Sequence, residues 1–482
     1  MNFKDLSLEE IIGKIKSGET TASDVKSYFL ERAKKYDEKL NTFNFLNENV
    51  DINTAEGELA WVVLGVKDIF CEIGIPTTSA SNMLRNFVPP YDATVIKKLK
   101  AAGMTSLGKL NMDDSAMGTT GENSAFGPTV NPWGKNRIPG GSSSGSAAAV
   151  AAGLVPAALG TDTGWSLRQP ASMCNVVGFR PSYGRNSRFG VTPMASSFDC
   201  PGTITKTVKD AALLYNIMNG EDIKENTTFK WKDTISEDVF SKTDMSGIKV
   251  WVPKEYFEEG LDNDVREKIE ESIQKCRDLG AEIVNVSLPM TKYAIAAYYI
   301  IVPAEVSTNV WRLDGVRYGY NSEAPYSSMD ELYMNNRGEA LGREVQRRSI
   351  VWAYVLSAGF YDAYYKKASQ VRTKIINEFN EVFNKVDVLI TPPTPSAAWK
   401  LGEKNNDPLK MYLADAYTIP ASLAGLPGIS VPAGFVEQDG ETLPVWVQFL
   451  SNLKQEEKLL QVAHLFEQAT GYGKQNPAGF ED

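Results

Sequence analysis

The sequence predicts an α/β fold, and two observations carry the prediction. Short apolar runs of strand length recur at Trp61 to Val66, Thr105 to Leu107, Lys249 to Val252, Val386 to Ile390, Gly428 to Val431 and Val445 to Phe449. Segments with helical spacing of apolar residues separate these runs, and strands interleaved with helices imply helical layers packed around a central sheet. Of the 482 residues 43% are apolar, ample for the core of one large domain spanning 1–482.

Taken in chain order, residues 1–50 form an N-terminal helical layer: about 6 to 48 read as two amphipathic helices. Leu6, Ile11, Ile12 and Ile15 share one face of the first, and Thr21 or Ser23 caps the second. Residues 60–215 hold the motifs that carry chemistry. Residues 219–246 are polar, charged and poorly periodic, which predicts a surface excursion. Strand and helix patterns then resume over 247–482 and complete the fold.

A net charge of −10 and a pI near 5.1 argue against a broad electrostatic footprint for nucleic acid or anionic membrane. The four cysteines, Cys71, Cys174, Cys200 and Cys276, form no CxxC pair and no His/Cys cluster, so no metal site is expected. Met1 leads into an acidic helical pattern rather than a basic start and an apolar stretch, and no 18-residue apolar run follows; with dispersed cysteines, this predicts a reducing, cytoplasmic setting.

The stretch PGGSSSGSAAAVAAGLVPAALGTDTGWSLRQP runs from Pro139 to Pro170 in a chain with one histidine, His464. Serine chemistry here needs another base, and Lys67 in GVKD is the candidate. A Gly/Ser run is most often a linker, but an Ala-rich run suited to a buried helix begins at once. Gly140 and Gly145 have the spacing of a phosphate-binding loop, yet Ser146 and Ala147 stand where Lys and Ser/Thr are needed. Gly141 to Gly145 fit a nucleophile elbow followed by Asp415 and His464, but NPWGKNRIP is a poor preceding strand. The remaining reading joins Lys67, Ser142 and Ser166.

In GVKD, GGSS and DTGWS, this order of Lys, Ser and Ser resembles the amidase signature family. The resemblance implies an amidase signature fold with a central mixed β-sheet. It also implies that Ser166 is the nucleophile, that Ser142, at a cis peptide, relays its proton, and that Lys67 is the ultimate base. The amides of Thr163, Gly164, Trp165 and Ser166 would form the oxyanion hole, with Asp162 and Arg168 bracing the loop. Each role makes a physical demand: Lys67 must be neutral, hence desolvated or near positive charge, and backbone donors must face the developing oxyanion.

The C-terminal half, through RLDGVRYGY, GREVQRRS and MYLADAYTIPASLAGLPGISVP, is similar to the A-subunit branch of the glutamyl-tRNA(Gln) amidotransferases. By that resemblance Arg348 holds the α-carboxylate of glutamine, Asp415 its α-amine, and Tyr298 makes a third contact. It implies glutamine hydrolysis without a cofactor in this polypeptide. Ammonia passes to a partner, the B-subunit, which uses ATP and Mg and contacts the charged tRNA, and a small C-subunit completes a heterotrimer. A stand-alone amidase and a non-catalytic scaffold are the rival functions.

One feature departs from the family. Trp165 stands at the second glycine of DTGGS, and Trp61, Trp251, Trp352 and Trp446 also occupy expected glycine positions, whereas Trp133 matches the family's own tryptophan. Each such change puts a large side chain into packed space. The pattern suggests UGA codons that the source reads as glycine. Ser144 and Asn175 are milder departures from expected glycines.

Overall fold

The computed structural model describes residues 1–49, 57–257, 260–357, 360–404 and 408–481. Eleven strands among them make one mixed sheet: β1 (Phe43–Leu46), β2 (Val63–Lys67), β3 (Thr105–Leu110), β4 (Ala157–Asp162), β5 (Val177–Arg180), β6 (Cys200–Thr205), β7 (Lys249–Pro253), β8 (Glu282–Val286), β9 (Val388–Thr391), β10 (Gly428–Gln438) and β11 (Glu441–Ser451). Their order across the sheet is β1-β3-β2-β4-β6-β5-β10-β11-β9-β7-β8. The pairs β2/β3, β2/β4, β7/β8 and β7/β9 are parallel. The long hairpin β10/β11 and its neighbours run antiparallel. Strands β2, β3, β4, β5, β6 and β9 are buried throughout, as expected where helices cover both faces.

The N-terminal helices span Leu8–Ser17 and Ala22–Leu40, each opened by a capping box, Ser7 with Glu10 and Thr21 with Asp24. The expected helical layer stops earlier than 48. Asn41 takes a left-handed conformation (φ 53°) that ends the second helix, and FNFL then pairs with β3 as an edge strand. A second difference lies in the Ala-rich run. The helix covers only Ser144–Ala151; Gly153 turns the chain at φ 65°, Pro156 cannot continue a helix, and Ala157 onward becomes β4. Residues 219–246 are largely irregular, held to the core by buried Ile235, Val239, Phe240 and Met245.

All six apolar runs singled out above overlap strands. Strands β4 and β6 are the ones that matter most for chemistry among those not anticipated, because β4 sits beside β2 with Gly65 opposite Ala158 and Val66 opposite Leu159. Lys67 and Asp162 are therefore the last residues of adjacent parallel strands, at the edge where ligands of open α/β sheets gather.

Candidate active site

Lys67 ends β2 wholly buried, with Nζ 2.8 Å from Ser142 Oγ, 2.9 Å from Ser143 Oγ and 3.0 Å from Thr161 Oγ1. Burial pushes its ammonium down from 10.5 to about 7, against the opposing pull of Asp113, Asp162 and Asp199. A lysine so placed is a proton acceptor near neutrality. Ser143 and Thr161 were not foreseen as its neighbours; both lie inside the motifs, one residue from Ser142 and from Asp162.

Ser142 lies on the loop entering the helix Ser144–Ala151, and its peptide with Gly141 is cis, the conformation expected at this serine. Gly141 has no room for a side chain: a Cβ there would lie 2.0 Å from Asp113 Oδ2. That carboxylate accepts from the amides of Gly121 (3.1 Å) and, through Oδ1, Asn123 (3.0 Å), and the Asp113 amide donates to Ser142 O at 3.3 Å. Burial raises Asp113 to about 6.

Ser166 is buried in the turn between β4 and the helix Arg168–Met173. Asp162 braces this turn from below. It pairs with Arg168 (2.9 Å) and Arg180 (3.0 Å), and it accepts from the amide of Leu167 (3.2 Å). Burial works to raise its carboxyl, but the two guanidiniums outweigh burial and hold it at about 2. Thr163 is tied to Asp199 at 2.7 Å. Among the described residues the backbone amides of Gly164, Trp165 and Ser166 meet no acceptor, so they are free to bind an oxyanion.

Arg348 and Asp415 come together around Tyr299. The Arg348 guanidinium stacks over the Tyr299 ring at 5.6 Å and pairs with Glu344 at 2.8 Å, and its buried Nη1 has no partner. Tyr299 donates to Asp415 Oδ2 at 2.9 Å and Thr119 to Oδ1 at 2.7 Å. Burial raises the Asp415 carboxyl to about 7. Tyr298 is fully buried against Gly164, with its hydroxyl also unpaired. Tyr299, Thr119, Gln169 and Glu344 were missed in the sequence, although Glu344 stands at i,i+4 spacing from Arg348, Gln169 lies within the Pro139–Pro170 stretch and Tyr299 follows Tyr298; only Thr119 carries no local signal.

The indole of Trp165 lies in the space between the Ser166 turn and this pair. It is 1% exposed, 5.4 Å from the Tyr298 ring and 6.3 Å from that of Tyr299, and its Nε1 donates to Gly118 O at 3.1 Å. Its backbone is not left-handed; volume is what it changes. Trp61, by contrast, sits at φ 64°, where glycine is favoured, and Asn175 at φ 60° is a tolerated non-glycine. The indole nitrogens of Trp61, Trp251, Trp352 and Trp446 are buried without a partner, a trait shared with Trp399 but not with Trp133, which donates to Cys174 O at 2.9 Å.

His464 packs edge-on against Phe240 at 5.0 Å, beside Glu467, and the segment before Gly141 is no strand, so the nucleophile-elbow alternative has neither its base nor its geometry.

A buried lysine on a serine, next to a turn of free amides, is the geometry of amide-bond hydrolysis, and the amidase family model matches residues 24–460. The chain belongs to the amidase family. Among curated amidase relatives, the A-subunit of glutamyl-tRNA(Gln) amidotransferase from Ectopseudomonas mendocina is 46% identical over 488 residues, covering 98% of this chain and 99% of its own. The protein of that name from Coxiella burnetii is 45% identical over 482 residues, with 98% and 99% coverage. Among solved structures, the glutamyl-tRNA(Gln) amidotransferase A-subunit from Thermotoga maritima superposes with a TM-score of 0.83 at 40% identity, covering 97% of this chain and 95% of that one. The peptide amidase of Stenotrophomonas maltophilia gives 0.80 at 25% identity over the whole of both chains.

Proposed function

We propose that this chain is the glutaminase subunit of a tRNA-dependent amidotransferase, hydrolysing glutamine to supply ammonia for converting Glu-tRNA(Gln) to Gln-tRNA(Gln). The observation that carries the substrate is the Arg348/Asp415 pair. A buried guanidinium with an unpaired Nη1 beside a buried carboxylate suits the opposite charges of a free α-amino acid. The names of the relatives support the same reading.

In this reading neutral Lys67 takes the Ser142 proton while Ser142 takes that of Ser166. Ser166 Oγ bonds to the side-chain amide carbon of glutamine, and the oxyanion lies on the amides of Thr163, Gly164, Trp165 and Ser166. The C–N bond then breaks, and the nitrogen leaves as ammonia with the relayed proton. Water cleaves the glutamyl ester by the reverse relay, so glutamine and water give glutamate and ammonia. No metal or organic cofactor enters this half-reaction. The B- and C-subunits complete a cytoplasmic heterotrimer in which the partner handles ATP, Mg and the charged tRNA. No described helix is long and apolar enough to cross a membrane.

The proposal extends to the tryptophans. Residues 61, 165, 251, 352 and 446 are glycines in the native protein, written as Trp because UGA, a glycine codon in the source, was translated with a code that reads it as tryptophan. Three observations support it: the left-handed backbone of Trp61, the four unpaired indole nitrogens, and a buried indole at 165 packed against Tyr298 and Tyr299 beside Ser166. Peptide mass spectrometry of the protein from its source, or UGG at these codons, decides it; UGG sinks it. A second reading has one observation in its favour, the hydrogen bond from Trp165 to Gly118 O, which suits a genuine tryptophan in a non-catalytic scaffold. Ammonia release from glutamine, measured with and without the partner polypeptides for this chain and for Trp165→Gly, separates the two. A Trp165→Gly complex that remains inert refutes the glutaminase reading.

A further inference from the structure

The geometry points to Thr119 and Gln169 as positioning residues that report the arrival of an α-ammonium at Asp415 to the loop carrying Ser142. The inference rests on the glutaminase reading and adds to it a coupling between substrate recognition and the proton relay.

Both residues are buried, Gln169 completely, and Gln169 lies three residues beyond Ser166 on the helix Arg168–Met173. The amide is better partnered with its nitrogen toward the serine loop: Nε2 then donates to Gly141 O at 3.1 Å and to Thr119 O at 2.9 Å and lies 2.9 Å from Thr119 Oγ1, and Oε1 accepts from Thr119 Oγ1 at 2.8 Å. Thr119 Oγ1 also lies 2.7 Å from Asp415 Oδ1. A hydroxyl has one proton to donate, so Thr119 must choose between Asp415 and Gln169.

The choice depends on what sits at Asp415. While the carboxylate is ionised and empty, it is the stronger acceptor and takes the Thr119 proton. An ammonium that donates to Asp415 lowers that demand, and the Thr119 proton moves to Gln169 Oε1. Polarising the amide there strengthens the donation from Nε2 to Gly141 O, one residue before Ser142. Ser142 is the group that must stay 2.8 Å from Lys67 Nζ for the relay to work. A substrate with the α-ammonium therefore tightens the relay, and one without it does not.

The test compares glutamine with glutaramate, which keeps the carboxylate and the side-chain amide but lacks the α-amine. Turnover is measured, with the partner polypeptides present, on the full-length chain carrying Trp165→Gly and on the same chain with Thr119→Val, Thr119→Ser, Gln169→Met or both Thr119→Val and Gln169→Met. The expected result is a kcat on glutamine well above that on glutaramate in the parent. That ratio falls about tenfold in Thr119→Val and in Gln169→Met, the scale of one lost hydrogen bond. It falls no further in the double variant, because the two act in one chain of bonds. The KM preference for glutamine, set by Asp415, persists, and Thr119→Ser keeps the ratio. Equal loss of kcat on both substrates, an unchanged ratio, or a parent ratio near one overturns the inference and leaves the glutaminase reading intact. If Gln169→Met does not fold, the nearly isosteric Thr119→Val decides alone. A parent complex that releases no ammonia from glutamine overturns both.

Discussion

Lowering the pH through neutrality should switch this enzyme off by protonating Lys67. Burial holds that lysine at about 7 instead of 10.5, and the difference corresponds to about 5 kcal/mol of cost to the charged form. Only the neutral amine accepts the Ser142 proton, so kcat should be about tenfold lower at pH 6 than at pH 8. Asp415, also raised to about 7, must be ionised to bind the substrate ammonium, so kcat/KM should fall more steeply than kcat below pH 7. Bound ammonium pulls the Asp415 carboxyl down, which leaves Lys67 to set the kcat profile. The same group makes a prediction about stability. Its folded pKa lies below the unfolded one, so the unfolded chain binds the extra proton between about 7 and 10.5. Stability from this group therefore rises by roughly 1.4 kcal/mol per pH unit across that window and is flat below it. Lys67→Met should abolish turnover and remove that slope, without lowering stability at pH 6. The assay is ammonia release from the Trp165→Gly chain against pH, with chemical denaturation at each pH. A kcat that is flat from pH 6 to 8, or that falls only in the ordinary carboxylate range, would refute the argument for Lys67 as base.

Asp162→Asn should cost about 3–5 kcal/mol in a denaturation experiment, because Arg168 and Arg180 lose a buried counter-charge. Since Asp162 is held at about 2, its contribution should be present above about pH 4 and fade as pH falls toward 2. Arg348→Lys should raise the KM for glutamine about tenfold or more with little change in kcat, because an ammonium cannot present the guanidinium fork; an unchanged KM removes Arg348 from carboxylate binding. Trp251→Phe and Trp446→Phe should leave stability unchanged or raise it, since a buried unpaired N–H costs about 1–3 kcal/mol. A clear loss in melting temperature would show that those indoles belong in the core.

The sequence by itself was enough for six of the eleven described strands and for a cap at the start of the second helix, and its motifs, through the family they resemble, for the order Lys67, Ser142, Ser166. These are written in local patterns: apolar runs of strand length, Thr21 three residues before Asp24, and a Gly/Ser loop opening an Ala-rich run. It also marked the five tryptophans as out of place. Two segments were misread because local pattern and long-range pairing disagree. Phe43 to Leu46 follows a helix and resembles its continuation, and Ala157 to Asp162 extends an alanine run; each becomes a strand only because a partner strand supplies its hydrogen bonds. Only the tertiary structure could bring Thr119 to Asp415 across 296 positions, or Tyr299 to the same carboxylate across 116. It alone separates the tryptophans by their burdens: backbone at Trp61, volume at Trp165, an unpaired N–H at Trp61, Trp251, Trp352 and Trp446. A residue's type and spacing declare what chemistry it can do. Its pKa, its hydrogen-bond partners and the space left for a substrate are set by groups from distant parts of the chain, and these become neighbours only when the sheet and its flanking helices assemble.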